Sequence, residues 1–482
     1  MRKNPFFVVL VATAFTMFAA LQTQAQDKAS RIDKVVRRYA AHSTFNGAVL
    51  VAEAGKVIYR QGHGQANMEW QAANGPDVAY RLGSLSKSMT AIVTMQLVQD
   101  GTLGLDDSLA THLPEYPSPH AKRITIRQLL GHRSGIPHYV AIPGWFEGRF
   151  KQPITDVDFM AVIAALPLDF EPGTRTRYSN SGYFLLGKVI EKLTGKTYGA
   201  ALEARLLKPL GMNRTGHDRL DRILPNRAAG YLFAAGGGYR NEDFLNTAVF
   251  KATGSVYSTV DDLYKLDQAL YGDEILSAET KATMFDPKSP IGWQVAERKL
   301  AGREKPVKTI GYNGAVNGFS SMLTRFVADR HLVILLSNTA TGYSMLYELT
   351  DDLAAILYEL PRNHTTPASF LLTQSVVDGN LKKSIETYRA HKDRYELREG
   401  RINALGYQLL EAGLTAEAIE VLKLNVTSFP RSANAHDSLA EAYLAHGDRQ
   451  KAASHYRTSL ELDPSNDHAR TVLSRIGASP SR

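Results

Sequence analysis

A 34-residue period near the C-terminal end constrains this chain more than any other feature. Leu371, Leu405 and Leu439 stand 34 apart, as do Gly379, Gly413 and Gly447, and Ser384, Ala418 and Ala452. Pro430 and Pro464 keep the same step. A fixed period of this length makes each repeat one helix pair, which buries its apolar face only by stacking on the next pair. Small residues at 384, 418 and 452 let the paired helices approach closely, and the glycines end the first helix of each pair. The first repeat is degenerate, and His468 to Ile476 reads as a capping helix. Upstream, Pro361 to Pro367 is polar and bounded by prolines, which predicts a linker at 361–367 and a separate all-α unit over 368–482.

These repeats resemble tetratricopeptide repeats. Leu405-Gly406 and Tyr443 match apolar positions of that family, while Ile402 and His436 stand where its Trp is often found. The resemblance implies a concave surface for an extended peptide or helix, hence a protein partner or self-association through the repeats. Acidic and basic residues nearly balance in 368–482, so no field selects a polyanion. Across the chain the formal charge of +8 is scattered rather than clustered, which argues against nucleic acid.

The N-terminus begins with Arg2 and Lys3, then an apolar stretch from Phe6 to Leu21, then Thr23-Gln24-Ala25. A span needs about 20 apolar residues, so 1–25 reads as a secretory signal cut near Ala25. The expectation is a periplasmic or secreted protein with no membrane span after cleavage. There are no cysteines, which excludes thiol catalysis, thiolate metal sites and disulfides.

Residues 26–360 read as one α+β domain. After an amphipathic helix near Arg31 to Ala41, Asn46 to Gly64 alternates like a hairpin, with Val49, Val51, Val57 and Tyr59 flanking Ala54-Gly55. A late hairpin pairs Phe319 to Val327 with Leu332 to Ser337. Strands at both ends, with helices between, predict one antiparallel sheet shared by the two ends and flanked by helices. A helix from Tyr343 to Leu360 would close it.

Ser84-Leu85-Ser86-Lys87 is the only Ser-x-x-Lys in the chain, and Ser84 opens a run to Gln99 free of Gly and Pro. A serine at a helix start lies near unpaired N–H groups, and a lysine three residues on shares its face. That spacing brings an amine to the hydroxyl, which a serine needs to become nucleophilic. Alone, the motif also fits a plain N-cap and a solvated lysine. Tyr178-Ser179-Asn180 lies in a polar loop entering a helix from Phe184 to Leu193; the Lys87 ammonium would favour the Tyr178 phenolate as a base. Tyr312-Asn313-Gly314-Ala315 opens a strand of the late hairpin; Gly314 lets substrate approach, and the backbone N–H groups of Ser84 and Ala315 would form an oxyanion hole. Tyr239-Arg240-Asn241 reads as a decoy, Gly236-Gly237-Gly238 as a flexible loop, and His132 and His138 as structural. No pattern calls for a metal or cofactor.

With these motifs in order, residues Asn46 to Asn338 resemble the family of class C β-lactamases, D-alanyl-D-alanine carboxypeptidases and related esterases. Leu129 to Pro137, Pro209-Leu210-Gly211-Met212 and Gly254 to Ser258 match further landmarks. The resemblance implies an all-helical subdomain beside the sheet, Ser84, Lys87 and Tyr178 as catalytic residues, and Asn180, Tyr312, Gly314 and Ala315 as substrate-binding ones. Tyr312 departs from the Lys or His usual there, and so brings no charge to a substrate carboxylate. Ester and amide substrates therefore stand beside β-lactams and D-amino-acid peptides. Two readings remain open: an acyl-enzyme hydrolase acting on a small molecule or peptide, and a non-catalytic ligand-binding module that recruits partners through its repeats.

Overall fold

Strand β1 sits inside a sheet whose other members mostly come from the far end of the domain. The computed structural model describes residues 26–477 except 140, 141, 143, 146, 147, 149, 150, 153, 220, 340, 341 and 362–364. The expected signal segment, 1–25, lies outside the described residues. Helix α1 (26–41) leads into β1 (Gly47–Glu53) and β2 (Lys56–His63). Helices α2 (Ser86–Gln99) and α3 (Asn180–Thr194) follow. Next come β3 (Gln294–Arg298), β4 (Val307–Val316), β5 (Phe319–Phe326) and β6 (His331–Ser337), then α4 (Gly342–Leu357). The antiparallel order is β3-β4-β5-β6-β1-β2, with Val49 opposite Leu335 and Val51 opposite Val333. The two ends do share one sheet, as the alternating pattern predicted.

Strand periodicity divides the sheet's side chains between two cores. Val49, Val51, Met322, Phe326, Val333 and Leu335 pack with Ile32, Val36, Leu346 and Leu353 of α1 and α4. Ala48, Leu50, Leu323, Ile334 and Leu336 face the other way, into the core that contains α2 and α3. With both faces covered, β5 and β6 are buried at every residue. Helix α2 is buried from Ser86 to Leu97, as befits a central helix rather than an amphipathic surface one.

Beyond the sheet domain lie α5 (Ala368–Val377), α6 (Leu381–Ala390), α7 (Glu399–Glu411), α8 (Thr415–Ser428), α9 (Ala433–Ala445), α10 (Arg449–Leu462) and α11 (Asp467–Arg475). Gly379, Gly413 and Gly447 adopt φ of 69°, 81° and 91° after α5, α7 and α9, the left-handed geometry that ends a helix. Gly406 of α7 lies against Leu422 of α8, where an added Cβ would come within 2.6 Å of its side chain.

The two units interlock, which the apparent linker did not suggest. Phe233 of the hairpin Tyr231–Phe233/Tyr239–Asn241 is buried in the core of the repeats, and Phe370 of α5 in the core of α1 and α4. Arg401 of α7 pairs with Glu348 of α4, both largely buried. Gly236-Gly237-Gly238 is no free loop: the Gly238 N–H donates to Val377 O at 2.6 Å, and a Cβ on Gly237 would meet that oxygen at 2.8 Å. Thr366–Pro367, at the end of the expected linker, pairs with Tyr395–Glu396. Contacts between residues distant in sequence, such as Gly238 with Val377, leave no periodic trace in it.

Each anchoring phenylalanine removed should cost about 3–5 kcal/mol. Phe233→Ala and Phe370→Ala should each lower the stability of the whole chain in urea titration, with the two units unfolding in one transition. Two well-separated transitions in the wild type would contradict the shared packing.

Candidate active site

Ser84 is held on a tight turn rather than on the first turn of an α-helix. Gly83–Leu85 forms a single 3₁₀ turn, and α2 begins at Ser86. The sequence run to Gln99 thus marks the helix end correctly but starts it two residues early. Gly83 adopts φ +53° and lies on β4, where an added Cβ would stand 2.6 Å from Ala315 O. An added Cβ on Gly314 would fall 1.9 Å from Leu82 O and 2.8 Å from Leu85 N. Both glycines are needed for the strand to touch the turn. The Ser321 hydroxyl donates to Leu82 O at 2.6 Å, and the Val256 N–H to Ser86 Oγ at 3.0 Å, pinning the turn from two sides.

Lys87 reaches Ser84 from below. Its Nζ lies 3.3 Å from Ser84 Oγ and donates to Thr253 O at 2.6 Å. It is fully buried, and among the described residues no carboxylate forms an ion pair with it. Burial pushes its ammonium well below the usual lysine range. Desolvation thus works toward the neutral amine and against the fixed ammonium read from sequence.

Tyr178 arrives from the other side. Ser179 caps α3, its Oγ accepting from the Gly182 N–H at 3.3 Å. Tyr178 therefore precedes the helix and Asn180 begins it, four residues before the helix start read from sequence. Tyr178 Oη stands 2.6 Å from Ser84 Oγ and donates to Asn180 Oδ1 at 3.1 Å. Its ring lies 4.9 Å from Lys87 Nζ. Two imidazoles flank that ring, with centroids 4.7 Å away for His132 and 5.4 Å for His138. His132 Nδ1 accepts from the Ser179 N–H at 3.2 Å. Burial pushes His132 down to about 3 and His138 to about 4, so both are neutral near pH 7.

These groups open onto a cleft of about 870 Å³. Ser84, Tyr178, Asn180, Tyr312 and Ala315 line it, with His138, Lys151, Leu232, Asp243, Asn313, Asn317, Leu410 and Glu411 among its other walls. Gly314 contributes backbone contact to the turn instead, and Lys87 lies beneath the floor. Tyr239-Arg240-Asn241 forms one strand of a two-stranded hairpin, and none of the three lines the cleft. Arg175 and Arg177 do not line the cleft; Arg177 pairs with Asp169 at 3.2 Å. One mixed cluster, Asp437, Glu441 and His468, could hold a metal, but His468 already bridges the carboxylates at 3.2 and 3.3 Å.

A sequence model described as Beta-lactamase matches residues 32–356, two-thirds of the chain. The chain belongs to the beta-lactamase family. Penicillin-binding protein 4* of Bacillus subtilis is 30% identical over 342 residues, covering 65% of this chain and 72% of that protein. The octameric penicillin-binding protein homologue of Pyrococcus abyssi superposes with a TM-score of 0.59 at 26% identity, covering 69% of this chain and 77% of that one. A D-amino acid amidase of Ochrobactrum anthropi shares the fold, with a TM-score of 0.58 at 24% identity over 69% of this chain and 99% of its own. A tetratricopeptide repeat model matches 433–466. As a beta-lactamase family member with these relatives, the protein is a serine hydrolase.

Sequence reasoning left out Thr253, whose carbonyl holds Lys87, and the cleft walls Lys151, Leu410 and Glu411. It set aside His132 and His138, which pack on Tyr178. The landmarks Leu129 to Pro137 and Gly254 to Ser258 lay beside three of these residues; nothing marked Lys151, Leu410 or Glu411.

If the neutral Lys87 amine serves as a base, kcat/KM should rise with pH through its lowered pKa and then level off. The acid limb should fall well below the ~10.4 of free lysine. Lys87→Arg, which stays protonated, should lose activity over the same range. A wild-type acid limb lying near the free-lysine value, measured with a neutral ester, would contradict this.

Proposed function

We propose that the protein is an exported acyl-transfer hydrolase in which Ser84 Oγ attacks the carbonyl of an ester, amide or D-amino-acid peptide bond. The single observation that carries this is Ser84 Oγ lying 2.6 Å from Tyr178 Oη and 3.3 Å from Lys87 Nζ at the floor of a cleft. As the C–O bond to Ser84 forms, its proton passes to the Tyr178–Lys87 pair. The backbone N–H groups of Ser84 and Ala315 take the oxyanion; the close approach of Gly83 to Ala315 supports that role. The leaving group departs with the relayed proton, and water then cleaves the acyl-enzyme by the same relay in reverse. Asn180 fixes the Tyr178 hydroxyl.

Substrate choice follows from Tyr312, a buried phenol on β4 where related enzymes commonly carry a cation. It offers no charge to a carboxylate, which favours neutral esters and amides over β-lactams. The relatives described as penicillin-binding proteins and D-amino acid amidases support amide and D-amino-acid chemistry. The N-terminal pattern supports export, and no described helix is long and apolar enough to cross a membrane. The repeats would recruit a protein partner.

Intact-mass analysis after a fluorophosphonate should show one adduct, absent in Ser84→Ala; an adduct persisting in that variant would sink the assignment. Tyr178→Phe and Lys87→Ala should each lower kcat by about 10²–10⁴. The double variant should be little worse, because the two groups serve one step; multiplying losses would separate them.

Tyr312→Lys should move preference toward carboxylate-bearing substrates, less so in high salt. Wild-type protein that hydrolyses a chromogenic cephalosporin far faster than a nitrophenyl ester would refute the role given to Tyr312.

A further inference from the structure

The cleft above Ser84 is not built by the hydrolase domain alone. Leu410 and Glu411, the last two residues of α7, line it together with Ser84 and Tyr178. Helix α7 is fixed in that position by the Arg401–Glu348 pair, by Gln408 against Gly342, and by Ala412 O, which accepts from Arg240 at 3.5 Å. The repeats thus supply a rigid wall for the reaction chamber.

Glu411 has no evident structural reason to be there. A carboxylate in the last turn of a helix faces the negative end of the dipole, where lysine or arginine would stabilise. Among the described residues its carboxylate forms neither a hydrogen bond nor an ion pair. Desolvation pushes its carboxyl up from the ordinary range and the field of Arg240 opposes that; Arg240 is already donating to Asp243 Oδ1 at 3.3 Å, to Asn241 O at 3.2 Å and to Ala412 O. Asp243, the cleft's other acid, is therefore partly neutralised, and Glu411 is the acid left to meet a ligand. Leu410 beside it is half-buried and gives an apolar surface for a short methylene stem.

We infer that Glu411, supplied by the repeats, is a specificity-determining residue of the hydrolase cleft that takes the ammonium group of an amine-bearing amide or peptide substrate. This rests on the acyl-transfer reading for what happens next, but not for binding. The ammonium donates charge-assisted hydrogen bonds to the Glu411 carboxylate, while the acyl carbon lies over Ser84. Glu411 touches no reacting atom, so its effect falls on KM rather than on kcat.

The test uses the full chain and two probes that differ at one group: the p-nitroanilide of Nα-acetyl-D-lysine and its Nε-acetylated counterpart. Binding is measured by calorimetry in Ser84→Ala, which removes turnover, and kcat and KM are measured with Ser84 intact. The free-amine probe should bind about tenfold more tightly, in line with a charge-assisted hydrogen bond. Glu411→Gln should erase that ratio, and Glu411→Lys should invert it. A ratio unaltered by both substitutions overturns the inference. So does a ratio erased by Asp243→Asn but not by Glu411→Gln, which would place the cation on the hydrolase domain alone. Absence of any Ser84 adduct in wild-type protein would overturn the acyl-transfer reading instead, while the binding ratio in Ser84→Ala would still decide the role of Glu411.

Discussion

The burial of Lys87 with no carboxylate partner among the described residues is the constraint on which the site depends. An ammonium taken out of water and left unpaired is costly, and the group responds by favouring its neutral form. That requires α2 to be enclosed on all sides, as it is from Ser86 to Leu97. Thr253 O supplies the hydrogen bond that satisfies Nζ while adding no formal charge. A carboxylate in that place would hold Lys87 protonated and cost Ser84 its nearest amine base.

Around this lysine, the remaining parts are arranged by backbone contact. Gly83 and Gly314 let the serine turn lie directly on β4, bringing the Ala315 backbone close to Ser84. The cap at Ser179 places Tyr178 just outside α3, where its ring can lie between His132 and His138 while its hydroxyl meets Ser84. The neutral imidazoles pack against the phenol without adding a charge that would compete with Lys87. Each element is ordinary; their convergence on one oxygen is what makes the site.

The C-terminal helices enter the same structure through shared packing rather than through a tether. Phe233 and Phe370 are exchanged between cores, and Arg401 pairs with Glu348 where both are largely buried. A buried pair with one partner removed leaves an uncompensated charge, so this junction resists separation. The consequence for function is geometric: a wall of the cleft, Leu410 and Glu411, is set by how the first complete repeat docks.

By itself, the sequence determined the α+β class, the shared sheet and the stacked helix pairs. Period-2 alternation at Val49 and Val51 and the period of 34 are local consequences of strand and helix geometry. It also determined Ser84, Lys87, Tyr178 and Asn180 as residues to be brought together, because each motif carries its own local setting: Gly83 before the serine, and a polar loop entering a helix around the tyrosine. Only the tertiary structure decided the downward push on the Lys87 ammonium, since desolvation depends on everything packed around α2. It likewise decided the 3₁₀ turn under Ser84, the imidazoles against Tyr178 and the junction at Gly236 to Gly238. The arrival of Glu411 in the cleft, more than three hundred residues from Ser84, is of the same kind. It depends on how two surfaces dock, and docking leaves no period in a sequence.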